Sequence, residues 1–270
     1  MTDRVRVSVE DGVADVRMVR GDKLNAIDPA MFLALTEAGE KLKTRSDVRA
    51  VVLSGEGRAF CAGLDMESMQ QLAAPANDSS GTVLDDAAKR TEAGANYAQQ
   101  ACYVWREVPV PVIAAVHGVA FGGGFQLALG ADLRVVAPDV RMAVLEIKWG
   151  LIPDMSGIVL LRGLVRDDVA RELTWTGRIV NGEEAVRLGI ATKVADDPYA
   201  EAHALAREIA GKSPTAIRAG KRLLNLAQSD ATTSEIFLAE SLEQRALIGS
   251  PNQTEAVIAN FEKRAPNFTD

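Results

Sequence analysis

The sequence predicts an α/β fold, with a strand-and-helix core over residues 1–195 and a helical region over residues 196–270. Three observations carry this prediction. Short apolar runs of strand character alternate with helix-like runs through the first half, and helical patterns dominate from about Gly157 onward. Two glycine-bearing turns, Phe60-Cys61-Ala62-Gly63-Leu64-Asp65 and Gly122-Gly123-Gly124-Phe125-Gln126, each lead from a strand-like run into a helix-like run.

In chain order, Val5–Val9 and Val13–Val19 alternate apolar and polar residues around Asp11-Gly12, the pattern of a β-hairpin. Asp28-Pro29 marks a helix start, with an acid at the cap and proline in the first turn, and the helix is expected to run to about Lys43. Ala50–Leu53 reads as a short buried strand. Pro75, Asn77, Asp78, Ser79, Ser80 and Gly81 read as a polar loop near the entrance of a site. A helix leads to Pro109 and Pro111. Val112–Val116 is a buried strand, His117-Gly118 a turn, Phe125–Gly130 a helix, Leu133–Ala137 a strand, and Arg141–Ile147 a further extended segment. Helices are expected over Ala200–Lys212, Pro214–Ala227, Ser234–Ile248 and Asn252–Arg264. The sequence shows no convincing internal repeat.

The composition narrows the classes of function. Apolar residues make up 47% and charged residues 25% of 270, ordinary for a globular protein that buries a large core. The net charge of −7 argues against nucleic acid as a partner. No apolar run reaches the roughly 18 residues of a membrane span, and the N-terminus lacks a signal-peptide core. The two cysteines, Cys61 and Cys102, form no CxxC pair, which argues against a disulfide framework or metal site and fits a reducing, cytoplasmic setting.

The glycine turns carry the chemistry. Such turns leave backbone N–H groups without partners, and two of them brought together can hold one developing negative oxygen. An enzyme that polarises a carbonyl is therefore the leading expectation. A nucleotide-binding module is a poor alternative: there is no GxGxxG between Gly118 and Gly130 and no Lys-Ser/Thr after Gly124.

The same residues form part of a longer ordered set. Leu24-Asn25-Ala26-Ile27-Asp28, Arg58-Ala59-Phe60-Cys61-Ala62-Gly63-Leu64-Asp65, His117-Gly118, Gly122-Gly123-Gly124, Ala131-Asp132-Leu133-Arg134, Glu146 with Gly150-Leu151-Ile152-Pro153, and Phe261-Glu262-Lys263-Arg264 follow one another along nearly the whole chain. With this set the chain resembles the crotonase, or enoyl-CoA hydratase/isomerase, superfamily. The resemblance implies a spiral of ββα units, a C-terminal helical trimerisation region giving homotrimers or dimers of trimers, and an acyl-CoA thioester as substrate. No separate cofactor is implied, because CoA is part of the substrate. The oxyanion donors expected from it are the N–H groups of Ala62 and Gly123. A side chain at Gly123 would hinder close backbone approach.

Glu146, between Leu145 and Ile147, is the candidate for proton transfer, because burial there would raise a carboxyl pKa toward a useful range. Its plainer reading is an acid at a strand end. Gln126 stands where the hydratases carry a second glutamate. An amide cannot take a proton near neutral pH, so Gln126 either joins catalysis or only positions substrate or water. Asp154 is a possible replacement acid, and equally a cap for the helix that follows it. His117 and Cys61 read as structural. Trp149 reads as cavity wall or core. Lys23, Arg58 and Lys263 are candidate cations for the phosphates and adenine end of CoA, or else solvated surface charges; Lys263, in the last helix, is a candidate to reach a neighbouring subunit's ligand. Leu24, Ala26, Ala59, Gly63, Leu64, Asp65 and Gly122 complete the expected substrate-binding set. Hydration and double-bond isomerisation of an enoyl-CoA both remain open, and the alternative from another class is a noncatalytic CoA-binding protein.

Overall fold

The computed structural model describes residues 4–72 and 90–270. The chain runs β1 (Val5–Glu10), β2 (Val13–Met18), α1 (Pro29–Lys43), β3 (Ala50–Gly55), α2 (Met66–Leu72), α3 (Tyr97–Glu107), β4 (Val112–Val116), β5 (Val119–Phe121), α4 (Gly123–Gly130), β6 (Leu133–Val136) and β7 (Arg141–Ala143). There follow α5 (Gly157–Leu161), α6 (Asp167–Thr176), α7 (Gly182–Leu188), β8 (Lys193–Val194), α8 (Pro198–Ala210), α9 (Pro214–Ala227), α10 (Thr233–Leu247) and α11 (Pro251–Glu262). The polar stretch expected over 75–81 lies outside the described residues.

The main sheet has the order β1-β2-β3-β4-β6-β8, and a two-stranded sheet pairs β5 with β7. Among the described strand pairs, the hairpin β1–β2 is antiparallel and the others are parallel. Parallel strands covered on both faces carry apolar residues at every position. The period of two along β3 and β4 then sorts them: Val51, Leu53, Val112, Ala114 and Val116 face the large core with α1, α3 and α4. Ala50, Val52, Ile113 and Ala115 face Ala202, Ala206 and Ala210 of α8. The alanine stripe leaves little side chain between helix and sheet, so the two pack closely. The sequence division placed α8 in the C-terminal region, but it forms the second layer on the sheet.

Caps fix the helix starts. Asp28 accepts from Met31 N at 2.8 Å ahead of Pro29, and Asn96 forms a capping box with Gln99 on α3. Three features differ from the sequence reading. Strands β5 and β8 are too short to show a period, so pattern alone did not reveal them. The extended segment expected over 141–147 ends at Ala143, and Glu146–Trp149 forms a 3-10 turn closed by Gly150 at φ 70°. Asp154 does not cap α5: the N-cap is Ser156, and the amides of Met155 and Gly157 are taken by Gln126 Oε1, each at 2.8 Å.

Candidate active site

The two glycine turns lie side by side because Cys61 bridges Ala120. Cys61 N donates to Val119 O at 3.0 Å, and Phe121 N donates to Cys61 O at 3.1 Å. On the far side, Ile27 N donates to Gly63 O at 2.8 Å, and Asp65 N donates to Ile27 O at 2.9 Å. Extended backbone turns successive N–H groups to opposite sides. The N–H of Leu64 therefore points away from Ile27, toward the side of the Phe121–Gly123 turn.

This geometry corrects one expected oxyanion donor. The Ala62 N–H is already given to Leu24 O at 2.9 Å. Among the described residues, the N–H groups of Leu64 and Gly123 have no hydrogen-bond acceptor. Gly123 opens α4, whose N-cap Gly122 offers no side-chain cap, so the positive end of the helix adds to the field of these amides. Gly63 makes the close approach possible: it sits at φ 90°, and a Cβ there would lie 2.5 Å from Phe121 O. The position after the glycine was legible as a candidate only with the bridge to Ile27 in view.

Both amides border a cavity of about 410 Å³, lined mostly by apolar groups including Phe32, Met66, Met69, Ala98, Trp149, Leu151, Ile152 and Met155. Among the described residues, the carboxyl groups that line it are those of Glu146 and Asp154. Burial pushes the Glu146 pKa up, and nearby Asp154 adds to that, against hydrogen bonding from its own backbone, from Gln126 and from the backbone of Leu145. Burial also raises Asp154. Asp154 is exposed by surface area, but the space it opens into is this confined cavity, so loss of bulk water still acts on it. Gln126 does not border the cavity. It is 1% exposed and donates from Nε2 to Glu146 Oε1 at 2.6 Å. Glu146 Oε2 is buried without a partner among the described residues.

Of the expected substrate-binding residues, Gly63, Leu64, Gly122 and Trp149 line the cavity, as do Ala62 and Gly123. Leu24, Ala26 and Ala59 serve as backbone acceptors instead, for Ala62 N, Arg20 Nη1 and Asn25 Nδ2. Asp65 is not open to substrate: Arg20 Nη1 holds its carboxylate at 2.6 Å, and Glu67 N donates to it at 2.9 Å. Burial raises the Asp65 pKa, but these two bonds outweigh it and leave the carboxyl below its ordinary value. Arg20 also reaches Asp28 at 3.6 Å, tying the first glycine turn to the α1 cap. Neither Arg20 nor buried Asn25 stood out as a functional candidate in the sequence; the pair of acids needing a counter-ion was the available signal. Lys23, Arg58 and Lys263 are exposed and lie outside the cavity lining. His117 bonds Gly57 O at 2.9 Å, in keeping with a structural role. Burial pushes the Cys61 thiol up to about 12, which leaves it inert.

The sequence profile described as Enoyl-CoA hydratase/isomerase matches residues 8–270. The chain belongs to the enoyl-CoA hydratase/isomerase family. A Thermus thermophilus protein provisionally assigned as an enoyl-CoA hydratase is 35% identical over 272 residues, covering 97% of this chain and 100% of its own length. Among solved structures, a provisionally assigned enoyl-CoA hydratase of Streptomyces coelicolor matches with a TM-score of 0.87 at 34% identity, over 100% of this chain and 95% of that one. The enoyl-CoA hydratase of Mycobacterium smegmatis matches with a TM-score of 0.83 at 30% identity, over 98% of each chain. The crotonase-type fold expected from the motifs is the fold observed, and among the described residues no helix is long and apolar enough to cross a membrane.

Proposed function

We propose that this family member binds the thioester oxygen of an acyl-CoA between the N–H groups of Leu64 and Gly123, and that Glu146 moves a proton at the carbon beside that carbonyl. The observation that carries the reading is a carboxyl group of raised pKa lining the same cavity as two amides that have no acceptor among the described residues. Removing the proton creates an enolate whose charge sits on the oxygen, and one such donor is worth about 3 kcal/mol in the transition state. The apolar cavity suits an aliphatic or aromatic acyl group.

With Gln126 in place of a second acid, a 1,3-proton shift is the simpler reaction: Glu146 takes a C2 proton from a 3-enoyl-CoA and returns it at C4. Hydration of a 2-enoyl-CoA is the second reading, favoured by Asp154, whose carboxyl borders the same cavity with its pKa also raised. Offering both substrates and identifying the products decides between them. Turnover of neither, with CoA binding retained in calorimetry, would replace both readings with the noncatalytic one.

Lys23 and Arg58 belong to the proposal as contacts for the CoA phosphates. They stand on touching loops, for a Cβ on Gly21 would lie 3.0 Å from Glu56 O. Lys263 is proposed to reach a neighbouring subunit's ligand. Assembly as a homotrimer or dimer of trimers is supported by the apolar residues that α9, α10 and α11 leave exposed, among them Leu224, Phe237, Leu238, Leu242 and Phe261. Sedimentation at dilute concentration tests it. Buried free thiols at Cys61 and Cys102 fit a cytoplasmic location.

A further inference from the structure

Gln126 was expected either to join catalysis or to position substrate or water, and its surroundings assign it a different task. Two backbone N–H groups, of Met155 and Gly157, point at one atom of its side-chain amide. Only the amide oxygen accepts, so that atom is Oε1 and the NH2 group faces Glu146. Nε2 then donates directly to Glu146 Oε1 at 2.6 Å. The other carboxyl oxygen, Oε2, is buried and unpartnered among the described residues. A Cβ on Gly157 would lie 2.6 Å from Gln126 Oε1, so backbone packs directly against the amide and gives it no second position.

We infer that Gln126 is a positioning residue: it joins Glu146 to the turn carrying Asp154, fixes the Glu146 carboxyl, and confines its exchangeable proton to Oε2. The catalytic consequence rests on the reading of Glu146 as the proton-transfer group. The clamp itself does not.

The chemistry follows from the bonding. Oε1 receives the amide hydrogen, so it is the poorer site for a second one. Among the described residues Oε2 has no hydrogen-bond partner, so it takes the proton when the group is neutral. The amide neither gains nor loses a proton near neutral pH, so it holds this arrangement throughout the catalytic cycle. The side chains that act on Glu146 from neighbouring elements are Asp154 before α5 and Gln126 on α4, while Cys102 on α3 is itself pushed up by Glu146 and stays a neutral thiol. On its own turn, Lys148 lies over the Trp149 ring at 5.4 Å. Of these, Gln126 alone favours the ionised form of Glu146 by a direct side-chain bond.

The test is a 13C NMR titration of protein labelled at the glutamate Cδ, with the Glu146 resonance assigned by its loss in Glu146→Gln. In the unmodified protein the midpoint lies above the ordinary carboxylate range. In Gln126→Met the lost donor raises it by about one to two pH units. That variant also strands the amides of Met155 and Gly157, so Gln126→Glu serves as the second. It keeps an oxygen for those amides and sets a carboxyl against Glu146, so the two titrate as a pair with one step displaced upward at least as far. The acid limb of the kcat/KM profile with a 3-enoyl-CoA moves with the midpoint. A Glu146 midpoint within a few tenths of a unit of the unmodified value in either folded variant overturns the inference. A midpoint that moves in a protein turning over no enoyl-CoA upholds the clamp and sinks the proposed function instead.

Discussion

Replacing the peptide bond ahead of Leu64 by an ester, through incorporation of the corresponding α-hydroxy acid, deletes one N–H and leaves the chain shape nearly intact. The same exchange at Ala62 deletes the neighbouring N–H. Each ester also weakens one carbonyl acceptor: that of Gly63, which receives Ile27 N at 2.8 Å, or that of Cys61, which receives Phe121 N at 3.1 Å. These losses are similar, so the contrast isolates the two N–H groups. The Leu64 N–H has no acceptor among the described residues and is proposed to meet the enolate oxygen. Its removal is expected to cost about 2.7–4 kcal/mol in the transition state, or roughly 10²–10³ in kcat. The Ala62 N–H is bound to Leu24 O at 2.9 Å. Its removal strands that carbonyl and is expected to cost about 1–3 kcal/mol of folding stability, with a much smaller effect on kcat. Steady-state isomerisation of a 3-enoyl-CoA and urea unfolding read the two quantities. If kcat survives the ester at 64, or falls equally with the ester at 62, the assignment of the oxyanion donor is wrong.

Other consequences follow from the same geometry. Glu146→Gln keeps an oxygen for Gln126 Nε2 while removing the buried charge, so turnover should fall about 10²–10⁴-fold while thermal stability holds or rises; hydration or isomerisation surviving at normal rate would remove Glu146 from the mechanism. As a base, Glu146 works only when ionised, so kcat/KM should rise with pH through a midpoint above the ordinary carboxylate range, since its pKa is raised by burial. Lys221 donates to Asp132 at 2.6 Å from a nearly buried position. Lys221→Met leaves Asp132 with Val112 N at 2.8 Å and Arg106 at 3.8 Å but takes a donor from the carbonyls of Trp105 and Val110, and should cost about 1–3 kcal/mol in urea unfolding. Asp28 and Asp65 are buried in part, yet their arginine and backbone partners hold both below the usual value. Their contribution to stability is therefore full above about pH 4 and lost as pH falls through the depressed folded values; Asp65→Asn should flatten that acid slope in a denaturation series.

Much of the site was legible because its parts are local. The triple glycine announces a helix start without side-chain caps, and the α4 helix begins at Gly123 as that pattern requires. Glu146 stood out as an acid among apolar neighbours, and its carboxyl does lie in an apolar cavity wall. Leu64 did not stand out. Ala62 and Leu64 are both backbone positions beside one glycine, and nothing in their side chains says which amide is spoken for. The answer lies in Leu24 and Ile27, which approach from another part of the chain. The engagement of Asp65 and the failure of Asp154 to cap α5 were hidden for the same reason: Arg20, which holds Asp65, and Gln126, which takes the amides at the start of α5, are distant in sequence.

The sequence by itself determined the alternation of strands and helices, the Asp28 cap, the family and a candidate acid, because period, cap chemistry and motif order are properties of neighbouring residues. Tertiary structure alone decided which amides stay free, which carboxylates are neutralised and which oxygen of Glu146 is tied. Hydrogen-bond donors are interchangeable along a chain, and only the packing of remote segments settles which of them find acceptors.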